Sequence, residues 1–557
     1  MDTRTNAHPD PRPATGDVVA PAGDRVAVWV PLAVPVFRAL WITALVSNIG
    51  TWMQTVGAQW FMVEQHTSPL LITLVQTASA APVLLLGIPA GVLGELFNRR
   101  TLLIWMQVVQ LLVTGALVAL TVTGQLTPYL LLAITLVLGA SSAVQLPAYQ
   151  ALVTEIVPGR MIPSAASLSA ISVNAARAIG PALAGALLSG LGIAFVFAMN
   201  VVSFAAFLLV LIVWRSYRPE AHATERFIDA ARAGIRYVTR AAVVRRMYVR
   251  LGAFVVPASA LYALLPLLAT GRLGLDSLGY GLLLAAMGAG SVTAAFLVPW
   301  FRRLGAQRAV LLCSGVFGAA TVGVALAPAI GIALPLLAFA GAAWIGVVAT
   351  INGAVQAFLP VWVRTRGLSV YQMVLFGSMA AGGLLSGVLA GAVGPSTAGV
   401  VAGGAVLAVA VTQIFWPLLE TADKRRTTFS LSVPDAAQEV DGDAAVLVLV
   451  RYAVPDERRT EFIERMILVE HSRRRTGARS WALYRDREDA SLLVEAFRVG
   501  SWVEHEQQHS SRLTDYDHDV IERAGSLADS VTVDHLVEVT RPSSPTADHP
   551  RTSRSTR

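Results

Sequence analysis

Arg177 stands in the stretch SVNAARAIGPALAGAL, residues 172–187, as the one charge of an otherwise apolar run. A guanidinium at the centre of a membrane-crossing helix costs roughly 2.5 kcal/mol or more. A helix that keeps one therefore uses it, to attract an anion, to hold a gating pair, or to pack against freed backbone carbonyls. Gly180 and Pro181 follow, then Gly185: the glycines permit close helix approach, and the proline frees a carbonyl and bends the helix. The polar residues best placed to face a solute inside such a bundle are Asn48, Gln54, Gln76, Asn174, Arg177, Asn352, Gln356 and Gln372. Asn48, Gln54, Gln59, Asn174 and Gln145 are the candidate partners of Arg177 itself. A second cluster lies far downstream. Trp502, His505, His509, Leu513, Tyr516 and Val520 follow three- and four-residue steps along one helix face. No carboxylate or cysteine at metal-ligand spacing accompanies the two histidines. Trp502, His505, His509 and Tyr516 are therefore expected to line a core or pocket, without a metal. Cys313 is the only cysteine, which excludes disulfides and thiolate metal sites.

These groups need helices to hold them in lipid. The chain has 557 residues, 55% hydrophobic and 14% charged, with a mean hydropathy of +0.59. Soluble domains carry about 25% charged residues, so a polytopic membrane protein is the class that remains. Apolar runs long enough to cross a bilayer fall near 38–62, 70–94, 101–123, 128–150, 164–189 and 193–214. Six more fall near 248–270, 279–300, 307–327, 329–352, 367–393 and 397–418. Between the runs, arginine collects on one side: Arg99, Arg100, Arg160, the interval from Arg215 to Arg250, Arg302, Arg303, Arg308, Arg364 and Arg366. The opposite loops supply only Arg272. The positive-inside rule then places both termini in the cytoplasm. Glu64 sits at the outer end of its run and Glu95 and Glu155 at the cytoplasmic side, so no titratable acid stands at mid-depth. No GxxxxGK[ST] pattern occurs, which argues against ATP hydrolysis.

The expected order is a disordered tail at 1–28, a six-helix half at 29–214, a linker at 215–247, a second half at 248–420, and a polar linker at 421–443. In the first linker Ile228, Ala231, Ile235, Val238 and Ala242 make an apolar face beside an Arg232, Arg236, Arg240 stripe, the pattern of a helix lying on an anionic leaflet. Double arginines after the second and eighth runs, and Pro147 and Pro360 each leading to a short basic loop, mark two parallel repeats. Residues 444–540 change character and read β-α-β-β-α-β, a ferredoxin-like order, with single helices at about 456–475 and 501–524. Residues 541–557 are a second disordered tail. The fold class is thus an all-α polytopic membrane protein of twelve transmembrane helices in two parallel six-helix repeats, plus a small α+β ferredoxin-like cytoplasmic domain.

Gly91-Val-Leu-Gly-Glu95-Leu-Phe-Asn-Arg99-Arg100, between the second and third runs, resembles the loop motif of the major facilitator superfamily, departing from it at Leu96 and Asn98. The resemblance implies that Gly91, Glu95, Arg99 and Arg100 form a conformational latch between the halves. Gly180-Pro181-x-x-x-Gly185 is similar to that superfamily's antiporter motif, a helix-bend signature of exporters. Asn174-x-x-Arg177-x-x-Gly180-Pro181, with MVEQHTSPL at 62–70, resembles the enterobactin-exporter-like branch over roughly residues 36–420. The C-terminal segment resembles the antibiotic-biosynthesis-monooxygenase-like group of dimeric ferredoxin-like barrels.

Together these imply a secondary active efflux transporter of a siderophore, drug or secondary metabolite across the bacterial inner membrane, working by alternating access. Its partners would be that solute, the lipid bilayer and protons as the coupling ion, a coupling that only the resemblance implies. Dimerisation through the C-terminal domain is a further expectation, and no cofactor, nucleic acid or enzymatic activity is expected. The rival readings are an importer of a polar metabolite and a transporter whose C-terminal domain senses or modifies a metabolite.

Overall fold

The computed structural model describes residues 28–214, 241–417, 444–489 and 491–538. Both expected tails, the basic stripe of the first linker and the 421–443 linker lie outside the described residues, apart from Val28.

The apolar runs fold into twelve long helices: α1 (Pro35–Glu64), α2 (Pro69–Leu96), α3 (Arg99–Val122), α4 (Pro128–Ile156), α5 (Ile162–Leu191), α6 (Ile193–Val213), α7 (Ala242–Gly271), α8 (Ser277–Leu304), α9 (Ala306–Leu326), α10 (Ile330–Phe358), α11 (Val361–Val393) and α12 (Pro395–Phe415). The shortest has 21 residues, about 31 Å at 1.5 Å per residue, enough for the hydrocarbon core. Eleven of the described helices are long and apolar enough to cross a membrane. The twelfth, α1, is long enough, but Arg38, Asn48, Gln54, Gln59 and Glu64 dilute its apolar character.

Two helices begin six residues before their apolar runs. The seventh starts at Ala242 rather than 248 and takes in Arg245 and Arg246; the eleventh starts at Val361 rather than 367 and takes in Arg364 and Arg366. Arginine is a good helix former whose long stem reaches back to the interface, so charge does not end these helices. Local chemistry fixes other ends. Asn98 accepts from the Thr101 amide to start α3, and Thr127 accepts from the Leu130 amide to start α4.

Packing shows the repeat. In the first half α1 meets α5 and α6, α4 meets α2 and α3, and α3 meets α6. The second half repeats these pairings: α7 meets α11 and α12, α10 meets α8 and α9, and α9 meets α12. Gly192 joins α5 to α6 at φ +80°, and Gly394 joins α11 to α12 at φ +84°, a left-handed turn suited to glycine at the same junction of each half. The halves meet along two exchanged seams, α2 with α11 and α5 with α8.

Beyond residue 443 a separate core forms. Its elements are β1 (Val446–Ala453), α13 (Arg459–Thr476), β2 (Ser480–Arg485), β3 (Leu492–Val499), α14 (Trp502–Gln507), α15 (Asp515–Gly525) and β4 (Ser530–Val537). The strands pair antiparallel in the order β2-β3-β1-β4. Val446, Val448, Val450 and Tyr452 alternate along β1 and pack with Phe462 and Met466 of α13. The helix expected over 501–524 is not continuous. Residues Gln508–Arg512 form a π-helical turn, Leu513 is extended, and Thr514 opens α15 through a capping box with Asp517. The side-chain stripe from Trp502 to Val520 is therefore split between two helices.

Candidate functional site

Five helices bring their interiors together around Arg177. Its guanidinium on α5 lies over the Trp52 ring of α1, 5.4 Å from the centroid, a cation–π contact that favours the charge where water is scarce. Glycine makes the approach possible: a Cβ at Gly180 would sit 2.6 Å from the Trp52 Cβ. Across the seam, a Cβ at Gly288 of α8 would sit 2.7 Å from the Arg177 carbonyl oxygen. On α7 the Tyr262 hydroxyl lies within electrostatic reach of Arg177. The Tyr262 ring meets Trp344 of α10 edge-on, with centroids 5.8 Å apart. The Arg177 Nε and the Tyr262 hydroxyl are both buried and have no hydrogen-bond partner among the described residues. One cation, two unmet donors and three aromatic rings thus converge from both halves.

The other expected path residues divide into groups. Asn48 donates to Ser172 Oγ at 3.3 Å, tying α1 to α5 one turn from the Trp52 contact. Asn174 donates to the Ala170 carbonyl of its own helix. Gln76 is buried on α2 with its Nε2 unpartnered among the described residues. Asn352 accepts from Gln356 along α10 at 2.5 Å, and Gln372 is half-buried on α11. Gln54 departs from expectation. It is buried and accepts from Asn200 of α6, where Gly50 leaves room, so in this conformation it joins α1 to α6 inside the first half. The expected polar partners of Arg177 also engage elsewhere: Gln59 accepts from Tyr280, and Gln145 from Gln107.

Arg99 pairs with Glu155 of α4, while Arg100 donates to the Leu211 and Ile212 carbonyls of α6. All these partners belong to the first half. The surroundings of Gly91 and the side chain of Glu95 lie outside the described residues. The Gly180-Pro181-Gly185 motif sits in an α5 that remains helical throughout. Its small residues form two seams: Gly180 lies against α1, while Gly185 and the Pro181 carbonyl lie against Gly281 of α8. Beyond them, the Tyr280 ring of α8 stacks on Trp60 of α1, with centroids 6.0 Å apart.

In the C-terminal unit, His505 is fully buried and neither of its ring nitrogens meets hydrogen-bond geometry among the described residues. It contacts the rings of His509 at 4.7 Å, His535 at 4.9 Å and Trp502 at 5.7 Å. Burial, reinforced by the neighbouring histidines and opposed weakly by Gln508, pushes His505 down to about 3. Burial and Arg473 push His509 down to about 4. Both are neutral near pH 7. Beside them, buried Glu495 accepts from Arg473 at 3.1 Å, Trp481 at 2.9 Å and Tyr452 at 3.0 Å. Tyr516 lies under the Arg475 guanidinium. Sequence periodicity finds His505 and His509 but misses His535, which lies on β4. It also misses Trp52, Tyr262 and Trp344, because an aromatic residue in an apolar span reads as ordinary packing.

Comparison with known proteins extends these observations. The family model described as "Transmembrane secretion effector" matches residues 26–543. The chain is 30% identical over 177 residues to the uncharacterized MFS-type transporter YfiS of Bacillus subtilis (strain 168), covering 30% of this chain and 41% of that protein. It is 29% identical over 142 residues to the staphyloferrin A transporter of Staphylococcus aureus (strain NCTC 8325 / PS 47), covering 25% of this chain and 36% of that protein. These matches span less than half of either relative. Among solved structures, a POT family transporter in complex with a thioalcohol-conjugated peptide superposes with a TM-score of 0.57 at 10% identity, over 69% of this chain and 96% of that one. A bacterial homolog of the human lysosomal transporter Spinster gives 0.54 at 16%, over 69% and 95%. At such identities the likeness is one of fold. With the repeated six-helix halves and a family match over nearly the whole chain, this multi-pass protein belongs to the transmembrane secretion effector family, of the major facilitator type.

Proposed function

We propose that the chain exports a small organic molecule by alternating access, with the halves rocking about the site at Arg177. The observation that carries this reading is the half-buried Arg177 guanidinium over Trp52, its Nε shielded from solvent, placed where α1 and α5 of one half face α7 and α8 of the other. Binding groups contributed by both halves are what a rocking carrier needs, because each half must release the solute on a different side. The arginine-rich loops orient that motion, with both termini cytoplasmic by the positive-inside rule. The enterobactin-exporter-like motif around Arg177 and the similarity to a staphyloferrin A transporter favour a siderophore or related metabolite as cargo. Protons are the coupling ion that the resemblance implies; transport that survives collapse of the proton gradient in vesicles would exclude them.

The C-terminal unit supports a second, accessory role. Its β-α-β-β-α-β order and resemblance to antibiotic-biosynthesis-monooxygenase-like domains fit binding of a metabolite, or dimerisation, beside the transport entrance. The ring-lined His505 cluster favours such a sensing role over chemistry.

The test is growth of an exporter-deficient bacterial host on a panel of toxic compounds and siderophores, with and without the chain. Export predicts resistance to at least one compound, with less of it retained in the cells. That resistance should be lost with Arg177→Ala at normal expression. Unchanged transport by the variant would remove Arg177 from the mechanism, and greater accumulation in cells carrying the chain would reverse the direction.

A further inference from the structure

We infer that the solute bound at Arg177 is an aromatic monoanion, its carboxylate held by the guanidinium and the Tyr262 hydroxyl and its ring laid among Trp52, Tyr262 and Trp344. This inference rests on the transport reading above and gives that reading a substrate class.

Charge balance is the first argument. The twelve helices contain no aspartate, glutamate or histidine away from their ends. The acidic side chains nearest the spans are engaged elsewhere. Glu64 accepts from Trp60 Nε1, Glu155 pairs with Arg99, and Asp276 accepts from the Gly279 amide. Glu95 stands at the far end of α2. The spans thus supply no carboxylate at the depth of Arg177. A fixed cation in a low-dielectric interior without a counter-ion is costly, and an anion brought by the solute offsets that cost. A cationic solute would add like-charge repulsion.

Donor geometry is the second. Arg177 Nε–H and Tyr262 O–H are buried without acceptors among the described residues. A planar two-oxygen acceptor can satisfy neighbouring donors together, as carboxylates do with arginine. A dianionic phosphate would carry twice the charge against one guanidinium.

The third is shape. Trp52 already covers one face of the guanidinium, and Tyr262 and Trp344 stand edge-to-face. Aromatic solutes stack on such rings and gain beyond area burial, whereas a sugar or peptide would leave its polar groups unmet among them.

The experiment uses purified full-length protein in nanodiscs and three probes of nearly equal shape: 2-naphthoate, 2-naphthamide and 2-naphthylmethylammonium. Equilibrium dialysis should show 2-naphthoate binding at least about tenfold more tightly than the amide, the scale of one charge-assisted hydrogen bond, with no binding of the ammonium. Arg177→Gln should bring the carboxylate down to the amide level, Arg177→Lys should keep part of the preference, and Tyr262→Phe should cost a few-fold. Equal binding of carboxylate and amide, absence of 2-naphthoate binding, or a preference that survives Arg177→Gln would each overturn the inference. If Arg177→Gln does not fold, the probe comparison on the unaltered protein still decides. Lost anion preference with efflux intact in the host panel would leave the transport reading standing. Anion binding without any efflux would overturn the transport reading instead.

Discussion

A buried imidazole whose two nitrogens lack hydrogen-bond geometry can stay in its core only while neutral. His505 and His509 are held at about 3 and 4, below the ordinary histidine value near 6.5. Their folded values are depressed, so the unfolded chain binds protons first as pH falls. The stabilising effect is fully present above about pH 6.5 and is lost between there and about pH 4 to 3. Each histidine contributes a slope of about 1.4 kcal/mol per pH unit within that window. Urea titration of the full-length protein, read by proteolytic cleavage within 444–538, should show the C-terminal unit weakening sharply from pH 6.5 to 5. His505→Phe should flatten that dependence; a pH profile unchanged by the substitution would mean that the ring is not desolvated in solution. The same residues show what one-dimensional reading recovers. His505 and His509 are four apart on one turn, so periodicity reveals them. His535 arrives from β4 through strand pairing, which local spacing does not encode. Arg177 is legible because a charge in an apolar run is anomalous, whereas Trp52, Tyr262 and Trp344 are not anomalous at all.

At the scale of helices, the seam between α5 and α8 is set by glycine. A Cβ at Gly288 would lie 2.3 Å from the Ala178 Cα, and one at Gly281 would lie 2.8 Å from the Gly185 Cα. These are backbone atoms, so the helices themselves must move apart to admit a side chain. Gly288→Val should therefore wedge the seam beside Arg177, widening the distance between spin labels at Gly190 and Leu275 and lowering efflux at least about tenfold at equal expression. Labels that keep their separation while efflux persists would mean that the seam is not needed for closure. The small-residue spacing of Gly180, Pro181 and Gly185 is legible in the sequence, but its partner helix is not. Sequence alone suggests a bend; packing shows two contact faces, one toward α1 and one toward α8. The break between α14 and α15 is hidden for a related reason. The periodicity across 502–520 continues through Leu513, and only the Thr514–Asp517 capping box marks a new helix start.

The whole molecule combines two cores of different origin. The membrane part draws its repeat from lipid, which requires every span to satisfy its own backbone and leaves side-chain packing to pair the helices. That is why twelve apolar runs are legible while Gln54, expected on the path, belongs to a seam within one half. The C-terminal unit has its own buried apolar cluster, from Val446 and Val448 to Phe497 and Val520, and its own buried ion pair between Arg473 and Glu495. The central site is built from α1, α5, α7, α8 and α10, and its guanidinium, hydroxyl and rings all come from the membrane part. Removal of residues 430–557 should therefore leave 2-naphthoate affinity within about twofold and retain a measurable part of efflux, with any loss falling on regulation by cytoplasmic solute. Complete loss of binding in a truncated protein that still reaches the membrane and remains monodisperse would place the C-terminal unit inside the transport machinery.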